Sequence, residues 1–335
     1  MPEKRVLVYG PLKLMPLEYF SRGIALCGER VAYRNHSVYK PGEAEKCHVA
    51  VIFGIKYPCD RIIEDYKARG VPTIVVDMGY VRRGNLVAAG KDPAGVYWSA
   101  GIGGLNGHAD HRNHLMPGDR WEALRVPLSP WRKSGSHILL CSQVPNDAAV
   151  EALGDVKPRE WAARVVEQLK GATARPILYR PHPDDPTPRG IKGVEFSRGK
   201  SLEEDLQEAW ATVAWNSNSL VASAIAGVPV FALGPGSMVE EVANKAIDRI
   251  EDPWMPDRQQ WLHDLAYCQW NGLELEAGVA WRHLILGQTR SADAAAMEMV
   301  DLDISDDADE VQAVRQKRAY RKREKNEHPE ISQDL

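Results

Sequence analysis

Short apolar runs recur along the first eighty residues, and a segment with helical spacing of apolar side chains follows each of the first two. The third run is apolar almost throughout, as in a strand buried on both faces of a parallel sheet. This alternation predicts a small doubly wound α/β domain over residues 1–130. The predicted strands are 5–10, 49–54 and 71–77, and the predicted helices are 17–28 and 59–70.

Residues 80–120 lose this periodicity and become rich in Gly, His, Asn and Arg, which predicts one long functional loop. The polar stretch 129–136 then marks a domain boundary. The β-α alternation resumes beyond it, so we expect two Rossmann-like domains facing a central cleft, the second over 137–290. Its predicted strands are 137–142, 176–180, 193–197, 212–215 and 228–233, and its predicted helices are 158–170, 201–210 and 219–226, the second of which opens with a capping box.

The chain beyond residue 253 is helical in pattern and rich in Trp, with one apolar face near Trp261 and Leu265. Six of the ten residues in 301–310 are acidic, and seven of the eleven in 315–325 are basic. Such charge blocks with few apolar side chains predict a flexible tail over 300–335.

The composition is that of an ordinary globular protein: 335 residues, 44% hydrophobic and 26% charged. No apolar run approaches the roughly 20 residues of a membrane span, so we expect neither a membrane helix nor a secretory leader. Five cysteines without a Cys-x-x-Cys pair favour buried thiols in a reducing, cytoplasmic environment. With a net charge of −4, the protein as a whole lacks the excess of basic residues that is typical of nucleic-acid-binding proteins. A polyanion would therefore have to bind a local cluster of basic residues.

Polar side chains follow two predicted strands of the second domain. The segment 179–183 reads Tyr-Arg-Pro-His-Pro, and the segment 215–219 reads Trp-Asn-Ser-Asn-Ser at a strand-to-helix junction. Both lie at carboxyl ends of strands, where open α/β sheets bind ligands, and hydroxyl, amide and cationic groups suit a diphosphate. The alternative is that these residues only cap a helix and form a turn.

These segments resemble the nucleotide-binding half of GT-B glycosyltransferases, together with Ser-Leu-Glu-Glu-Asp-Leu at 201–206 and Ala-Gly-Val-Pro-Val at 226–230. The nearest group has a His-Pro motif and a later Ser/Thr-rich motif, and it includes capsule-polymer and sialic-acid transferases and glycosyltransferase-like phage proteins. The resemblance implies sugar transfer from a nucleotide-sugar donor, with a UDP-sugar favoured, no tightly bound cofactor and no required divalent metal.

The resemblance also implies donor-binding roles for individual residues. Many relatives hold the ribose through a Glu on the helix before the Gly-x-Pro-Val turn, and residues 220–226 contain none, so Glu240 or Glu241 would replace it. The residues assigned to the diphosphate are Arg180, His182, Ser217, Asn218 and Ser219.

Two carboxylates of the first domain are candidates for the general base of an inverting reaction. Asp77 ends an apolar strand, where partial burial favours a base of raised pKa. Asp110 follows a glycine-rich loop that could approach a sugar closely. The alternatives are a turn residue for Asp77 and a solvated loop acid for Asp110.

A histidine cluster admits a second interpretation, because imidazole and carboxylate groups at short spacing bind Zn²⁺ or Mn²⁺. No known metallohydrolase spacing is present, so solvated or nucleotide-facing histidines are the preferred interpretation. The residues concerned are His108, Asp110, His111 and His114.

Arginines near the predicted cleft, with the basic tail, suit a phosphate backbone. We therefore predict DNA as the acceptor partner, through a 5-hydroxymethylpyrimidine extruded from the duplex, as in the phage DNA glycosyltransferases that the chain resembles, which act in the host cytoplasm. The alternatives are a surface polysaccharide or small-molecule acceptor, solvated arginines, or a non-catalytic nucleotide-binding protein. The candidate acceptor residues are Arg82, Arg83, His108 and Arg112, with Arg120 nearby.

Overall fold

The computed structural model describes residues 5–11, 14–84, 86–145, 156–197 and 200–287. The strands are β1 (Arg5–Tyr9), β2 (Arg30–Arg34), β3 (Val49–Phe53), β4 (Thr73–Met78), β5 (Tyr97–Ile102), β6 (His137–Cys141), β7 (Ile177–Arg180), β8 (Glu195–Phe196), β9 (Ala209–Ala214), β10 (Val230–Ala232) and β11 (Gln269–Asn271). The helices are α1 (Met15–Leu26), α2 (Cys59–Ala68), α3 (Leu86–Lys91), α4 (Asp119–Leu124), α5 (Pro158–Ala172), α6 (Leu202–Leu206), α7 (Ser219–Ile225), α8 (Gln259–Ala266), α9 (Gly272–Glu276) and α10 (Val279–Leu284).

The strands form two sheets. The first has six strands in the order β11-β5-β4-β3-β1-β2, of which β2, β1, β3 and β4 are parallel and β5 is antiparallel to β4 and β11. The second has five parallel strands in the order β10-β9-β6-β7-β8. The predicted α/β class with two largely parallel units is confirmed.

The central strands are apolar because side chains on both of their faces are buried. All six residues of β9 are buried, and the first four residues of β4 are buried as well. Helix α6 begins with the predicted capping box, in which the Ser201 hydroxyl accepts from the Glu204 N–H and the Glu204 carboxylate accepts from the Ser201 N–H. Helix α7 ends at Ile225, and Gly227, two residues beyond it, has a φ of +79° that few other residues adopt without strain.

The chain returns to the first sheet after the second one is complete. Strand β11 pairs with β5, and helices α9 and α10 pack against α1. Gly23 permits the close approach, because a Cβ there would overlap the carbonyl oxygen of Leu275. Residues 269–284 were predicted to belong to the second domain. They instead add strand β11 to the first sheet and pack helices α9 and α10 against α1.

Two predictions about individual elements were wrong. Residues 80–120 are not one long loop, because they contain α3 and all of β5. Helix α6 stops at Leu206 instead of continuing to Trp210, because β9 begins at Ala209 and the buried Trp210 indole donates to the Ile250 carbonyl oxygen (2.7 Å). Tertiary contacts override the helical spacing there.

The predicted charged tail over 300–335 lies outside the described residues. Among the described helices, none is long and apolar enough to cross a membrane. All five cysteines are free thiols. Cys59, Cys141 and Cys268 are buried as predicted, whereas Cys27 and Cys47 are only partly buried.

Candidate functional site

The structure brings the two predicted donor motifs to one edge of the second sheet, which we call the donor edge. Arg180 is the last residue of β7, His182 follows two residues later, and Ser217–Ser219 follow β9. The two strands are not neighbours, however, because β6 lies between them. The carboxyl end of β6 therefore lies at the centre of this edge.

Gln143, just beyond β6, connects the strand ends, and no pattern in the sequence marks it as a site residue. Its Nε2 donates to Asn216 Oδ1 (2.8 Å), and Asn216 Nδ2 donates to the Pro235 carbonyl oxygen (2.9 Å). Both amide side chains are buried. This chain of hydrogen bonds fixes the segments that follow β6, β9 and β10 relative to one another.

Arg180 is largely occupied by a protein partner. Its Nη1 donates to Asp205 Oδ2 (2.5 Å), and the Ser197 hydroxyl donates to the same oxygen (2.6 Å). The Asp205 side chain is 0% exposed, and the Arg180 side chain is 17% exposed. Nη1 also donates to the Lys200 and Ser201 carbonyl oxygens (2.9 and 3.2 Å). Arg180 thus holds the segment that precedes α6, and a donor diphosphate would meet a guanidinium that already has a carboxylate partner.

His182 is held in one tautomer by the turn that contains it. Its Nδ1 accepts from the Asp184 N–H (3.1 Å), so the proton of the neutral ring lies on Nε2. The ring is partly exposed, with 27% of its side-chain surface accessible. An Nε2–H group at a strand end suits a phosphate oxygen or a sugar hydroxyl.

The Ser217–Ser219 segment presents two hydroxyls and one amide. The Ser219 hydroxyl donates to Ser217 Oγ (3.0 Å), and Ser217 Oγ also accepts from the Ser219 N–H (3.3 Å). The Asn218 side chain points away from the two hydroxyls, because its Nδ2 donates to the Tyr80 carbonyl oxygen (3.2 Å). Tyr80 belongs to the half of the molecule that contains the first sheet, and Asn218 to the half that contains the second. Helix α7 has only seven residues, so these side chains, more than its dipole, define the edge.

Asp77 lies in β4, one residue before the strand ends. Its Oδ1 accepts from the Met78 N–H (2.6 Å), and its carboxylate is near Gly54, at the end of β3. The side chain is half-buried. Tyr80 follows three residues later and contacts Asn218, so Asp77 is in the segment that meets the donor edge.

The glycine-rich loop 103–110 contacts the second half at Gly236. The Gly107 N–H donates to the Gly236 carbonyl oxygen (3.1 Å), and a Cβ at Gly236 would overlap the His108 imidazole. Asp110 is 58% exposed and pairs with the Arg112 guanidinium (3.0 Å). The loop joins the two halves, while the Asp110 carboxylate is a solvated ion-pair partner.

The remaining predicted residues are less closely grouped. Arg82 and Arg83 are exposed, and Arg82 Nε donates to the Leu124 carbonyl oxygen (2.8 Å). Arg120 is buried and pairs with Glu274. The prediction that it contacts DNA was therefore wrong. Glu240 is exposed and pairs with Lys245 (3.3 Å).

His111 is a structural residue. Its Nδ1 contacts the Ala100 carbonyl oxygen (2.9 Å) and its Nε2 the Asn106 carbonyl oxygen (3.0 Å), so neither nitrogen is left for a metal. Within the described ranges, no group of three or more His, Cys, Asp or Glu side chains is arranged to hold a metal ion.

Burial makes two histidines sensitive to acid. It lowers the pKa of His111 below 6.5, although both carbonyl contacts and the Asp110 carboxylate act in the opposite direction. Burial also lowers the pKa of His283, whose Nε2 donates to the His111 carbonyl oxygen (2.9 Å). The unfolded chain therefore binds these protons first as the pH falls below about 6.5, and folding stability is lost in that range.

We expect the melting temperature of the wild type to be lower at pH 5.5 than at pH 7.5. This difference should be smaller in His111→Gln, because one buried titrating group has been removed. Differential scanning calorimetry at the two pH values measures this difference. His114→Gln is the matched control, because His114 is an exposed histidine three residues along the chain. The same pH dependence in His111→Gln and in the wild type would contradict the assignment.

The comparisons with known proteins identify the fold. No protein-family model matches the sequence, and no curated protein matches it. Among solved structures, the chain is similar to two KpsC proteins of Thermosulfurimonas dismutans. One, described as a beta Kdo 2,4 transferase, is 14% identical, with a TM-score of 0.52 over 79% of this chain and 91% of that one. The other, a beta Kdo 2,7 transferase, is 17% identical, with a TM-score of 0.52 over 89% of this chain and 99% of that one. The two sheets, the returning C-terminal segment and these similarities together show that the chain has the GT-B glycosyltransferase fold.

Proposed function

We propose that the protein is a glycosyltransferase that moves a sugar from a nucleotide-sugar donor to a hydroxyl acceptor. One observation carries the proposal: the Ser217–Ser219 segment of the donor edge is hydrogen-bonded, through Asn218, to the loop that follows Asp77. A diphosphate-binding motif and a candidate base thus belong to directly contacting segments. The GT-B fold is consistent with that arrangement.

The donor is a nucleotide sugar held by the second half. His182 and the hydroxyls of Ser217 and Ser219 contact the phosphates. The Arg180 guanidinium stays paired with Asp205 and adds positive charge near the phosphates without contacting them. Glu240 is the proposed ribose contact. We favour a UDP-sugar, and the named activities of the two KpsC proteins make a nucleotide-linked Kdo the second donor to test.

The chemistry is a displacement at the anomeric carbon. Asp77 takes the proton of the acceptor hydroxyl, whose oxygen forms a bond to the anomeric carbon, while the bond from that carbon to the donor phosphate oxygen breaks and its electron pair leaves with the nucleotide. Hydrogen bonds from His182 and Ser217 stabilise the negative charge that develops on the departing phosphate. The product of this inverting route has the opposite anomeric configuration.

The acceptor is either a saccharide hydroxyl or a 5-hydroxymethylpyrimidine of DNA. Burial of Arg120 and the Arg112–Asp110 pair weaken the predicted DNA patch, so we place the saccharide first. Exposure of Arg82 and Arg83, in the loop that meets Asn218, keeps the DNA base as the second candidate.

A transfer assay distinguishes the candidates. The protein is incubated with UDP-glucose, UDP-GlcNAc or CMP-Kdo in the presence of an oligosaccharide mixture, plain duplex DNA or hydroxymethylated duplex DNA. Mass spectrometry then detects sugar added to saccharides or to digested nucleosides, and free nucleotide is quantified. We expect transfer to one acceptor class with stoichiometric nucleotide release. Tight nucleotide binding without transfer to any acceptor would support the non-catalytic alternative and contradict the proposal.

His182→Ala tests the donor edge directly. Loss of a hydrogen bond to a charged phosphate costs about 1.5–3 kcal/mol, so the Kd of the nucleotide sugar should rise by roughly 10- to 150-fold. Isothermal titration calorimetry measures the Kd. His114→Ala is the control, because His114 is exposed and lies away from the strand ends of the second sheet. An unchanged Kd in a folded His182→Ala protein would remove this residue from the donor site.

A further inference from the structure

The turn after β4 is held by a side chain from the far end of the chain. Gln269 lies in β11 and is fully buried. Its Oε1 accepts from the Tyr80 N–H (2.7 Å) and from the Val81 N–H (2.9 Å). One amide oxygen therefore satisfies two consecutive backbone donors that no strand pairing covers.

Gly79 is required for this close approach. A Cβ at that position would lie 2.6 Å from the Tyr97 carbonyl oxygen and 3.0 Å from Gln269 Oε1. The Gly79 N–H itself donates to the same Tyr97 oxygen (3.0 Å). The turn is thus pressed against β5 and β11, two residues beyond Asp77.

The backbone of Tyr80 also contacts the donor edge. Its N–H is bound by Gln269, and its carbonyl oxygen accepts from Asn218 Nδ2 (3.2 Å). The Tyr80 side chain is buried, and its ring meets the His111 imidazole edge-on, with 6.3 Å between centroids. Tyr80 is therefore fixed from three sides, and one of these contacts comes from the opposite half.

The orientation of the Asn218 amide bears on its role. Since a backbone carbonyl oxygen only accepts, the Asn218 atom next to Tyr80 is the donor nitrogen. The other atom, Oδ1, is buried and has no hydrogen-bond partner among the described residues. An oxygen that can only accept does not bind a phosphate oxygen. Asn218 therefore fits a contact between the halves better than a diphosphate ligand.

We propose that Gln269 and Asn218 are positioning residues that act through the backbone of Tyr80 and hold the Asp77 segment against the donor edge. This inference rests on the proposed function, because positioning has a catalytic effect only if transfer occurs. Neither residue needs to touch the donor. Both set the distance between the base and the bound sugar, to which the rate is sensitive.

The test uses isosteric variants in the full chain. Gln269→Met removes the acceptor oxygen, and Gln269→Glu keeps it. Asn218→Asp places a carboxylate oxygen against the Tyr80 carbonyl oxygen. It breaks the hydrogen bond while the volume of the side chain at position 218 stays nearly the same. Ser217→Ala is the matched control, because it removes a proposed donor ligand from the same segment.

We expect Gln269→Met and Asn218→Asp to lower kcat by about tenfold or more while the Kd of the nucleotide sugar changes by less than about twofold. Gln269→Glu should recover most of the rate, and Ser217→Ala should raise the Kd instead. Hydrogen exchange should quicken at the Tyr80 and Val81 amides in Gln269→Met and stay slow in Gln269→Glu.

Three results would overturn the proposal: a raised Kd with unchanged kcat in Asn218→Asp, equal rates in Gln269→Met and the wild type, or equal losses in both Gln269 variants. Failure of the proposed function gives a different result, because the wild type itself then transfers no sugar. The exchange rates still report whether Gln269 holds the turn in that case.

Discussion

Asp77→Asn should lower the rate of sugar transfer by about 10²–10⁴-fold, the usual contribution of a general base. The carboxamide keeps an oxygen for the Met78 N–H, which Asp77 Oδ1 now accepts at 2.6 Å, so the turn should stay intact. The capacity to take a proton is lost. The measurement is kcat with a saturating donor and acceptor, together with the Kd of the nucleotide sugar, which should not change.

Asp110→Asn is the matched control for this prediction. Asp110 is 58% exposed and paired with Arg112, and exposed ion pairs contribute little. Its variant should transfer sugar at close to the wild-type rate. Full activity in Asp77→Asn would exclude Asp77 as the base and favour a retaining mechanism, and a large loss in Asp110→Asn alone would move the base to the 103–110 loop.

The donor edge could be predicted because it follows from local patterns. Strands β7 and β9 are largely apolar runs, polar residues lie at or just beyond their ends, and parallel strands of one sheet bring their carboxyl ends together. The pattern contains no information about lateral order, since hydrogen bonds between strands are non-local. The insertion of β6 between them, and with it Gln143, was therefore not foreseen.

The other missed residues act over long sequence separations. Gln269 is 189 residues from Tyr80, and its strand β11 has only three residues, too few for an alternating pattern. Asp205 reads as an ordinary acid in the first turn of an amphipathic helix, yet it is buried against Arg180. Only the folded chain shows that such polar groups have partners, and a buried charge requires one.

Strand β5 shows a different limit. Its sequence, Tyr-Trp-Ser-Ala-Gly-Ile over 97–102, mixes small and polar residues with aromatic ones and lies between glycine-rich segments. Composition therefore favoured a loop. The strand forms because β4 and β11 pair with it on either side, and their hydrogen bonds outweigh its weak intrinsic preference.

Arg120→Met should lower the free energy of unfolding by about 3–5 kcal/mol, the cost of leaving a buried charge without its partner. Arg120 donates to both Glu274 oxygens (2.6 and 3.0 Å) and to the Ala266 and Gln269 carbonyl oxygens (3.2 and 2.8 Å). Its guanidinium also lies over the Tyr267 ring, 5.3 Å from the centroid. Methionine fills much of the volume but restores none of these hydrogen bonds. Urea denaturation measures the change.

The double variant Arg120→Met, Glu274→Met tests whether an unpaired Glu274 carboxylate causes part of the loss, and it also removes the acceptor of the Asn271 N–H at the start of α9. With both charges removed, no uncompensated carboxylate remains, so part of the stability should return. Arg83→Met is the surface control and should change the free energy of unfolding by less than about 0.5 kcal/mol. If duplex DNA is the acceptor, fluorescence anisotropy should show weaker binding for Arg83→Met and unchanged binding for folded Arg120→Met. The reverse result would mean that Arg120 leaves its carboxylate partner to meet phosphate, against the geometry of a side chain that is only 3% exposed.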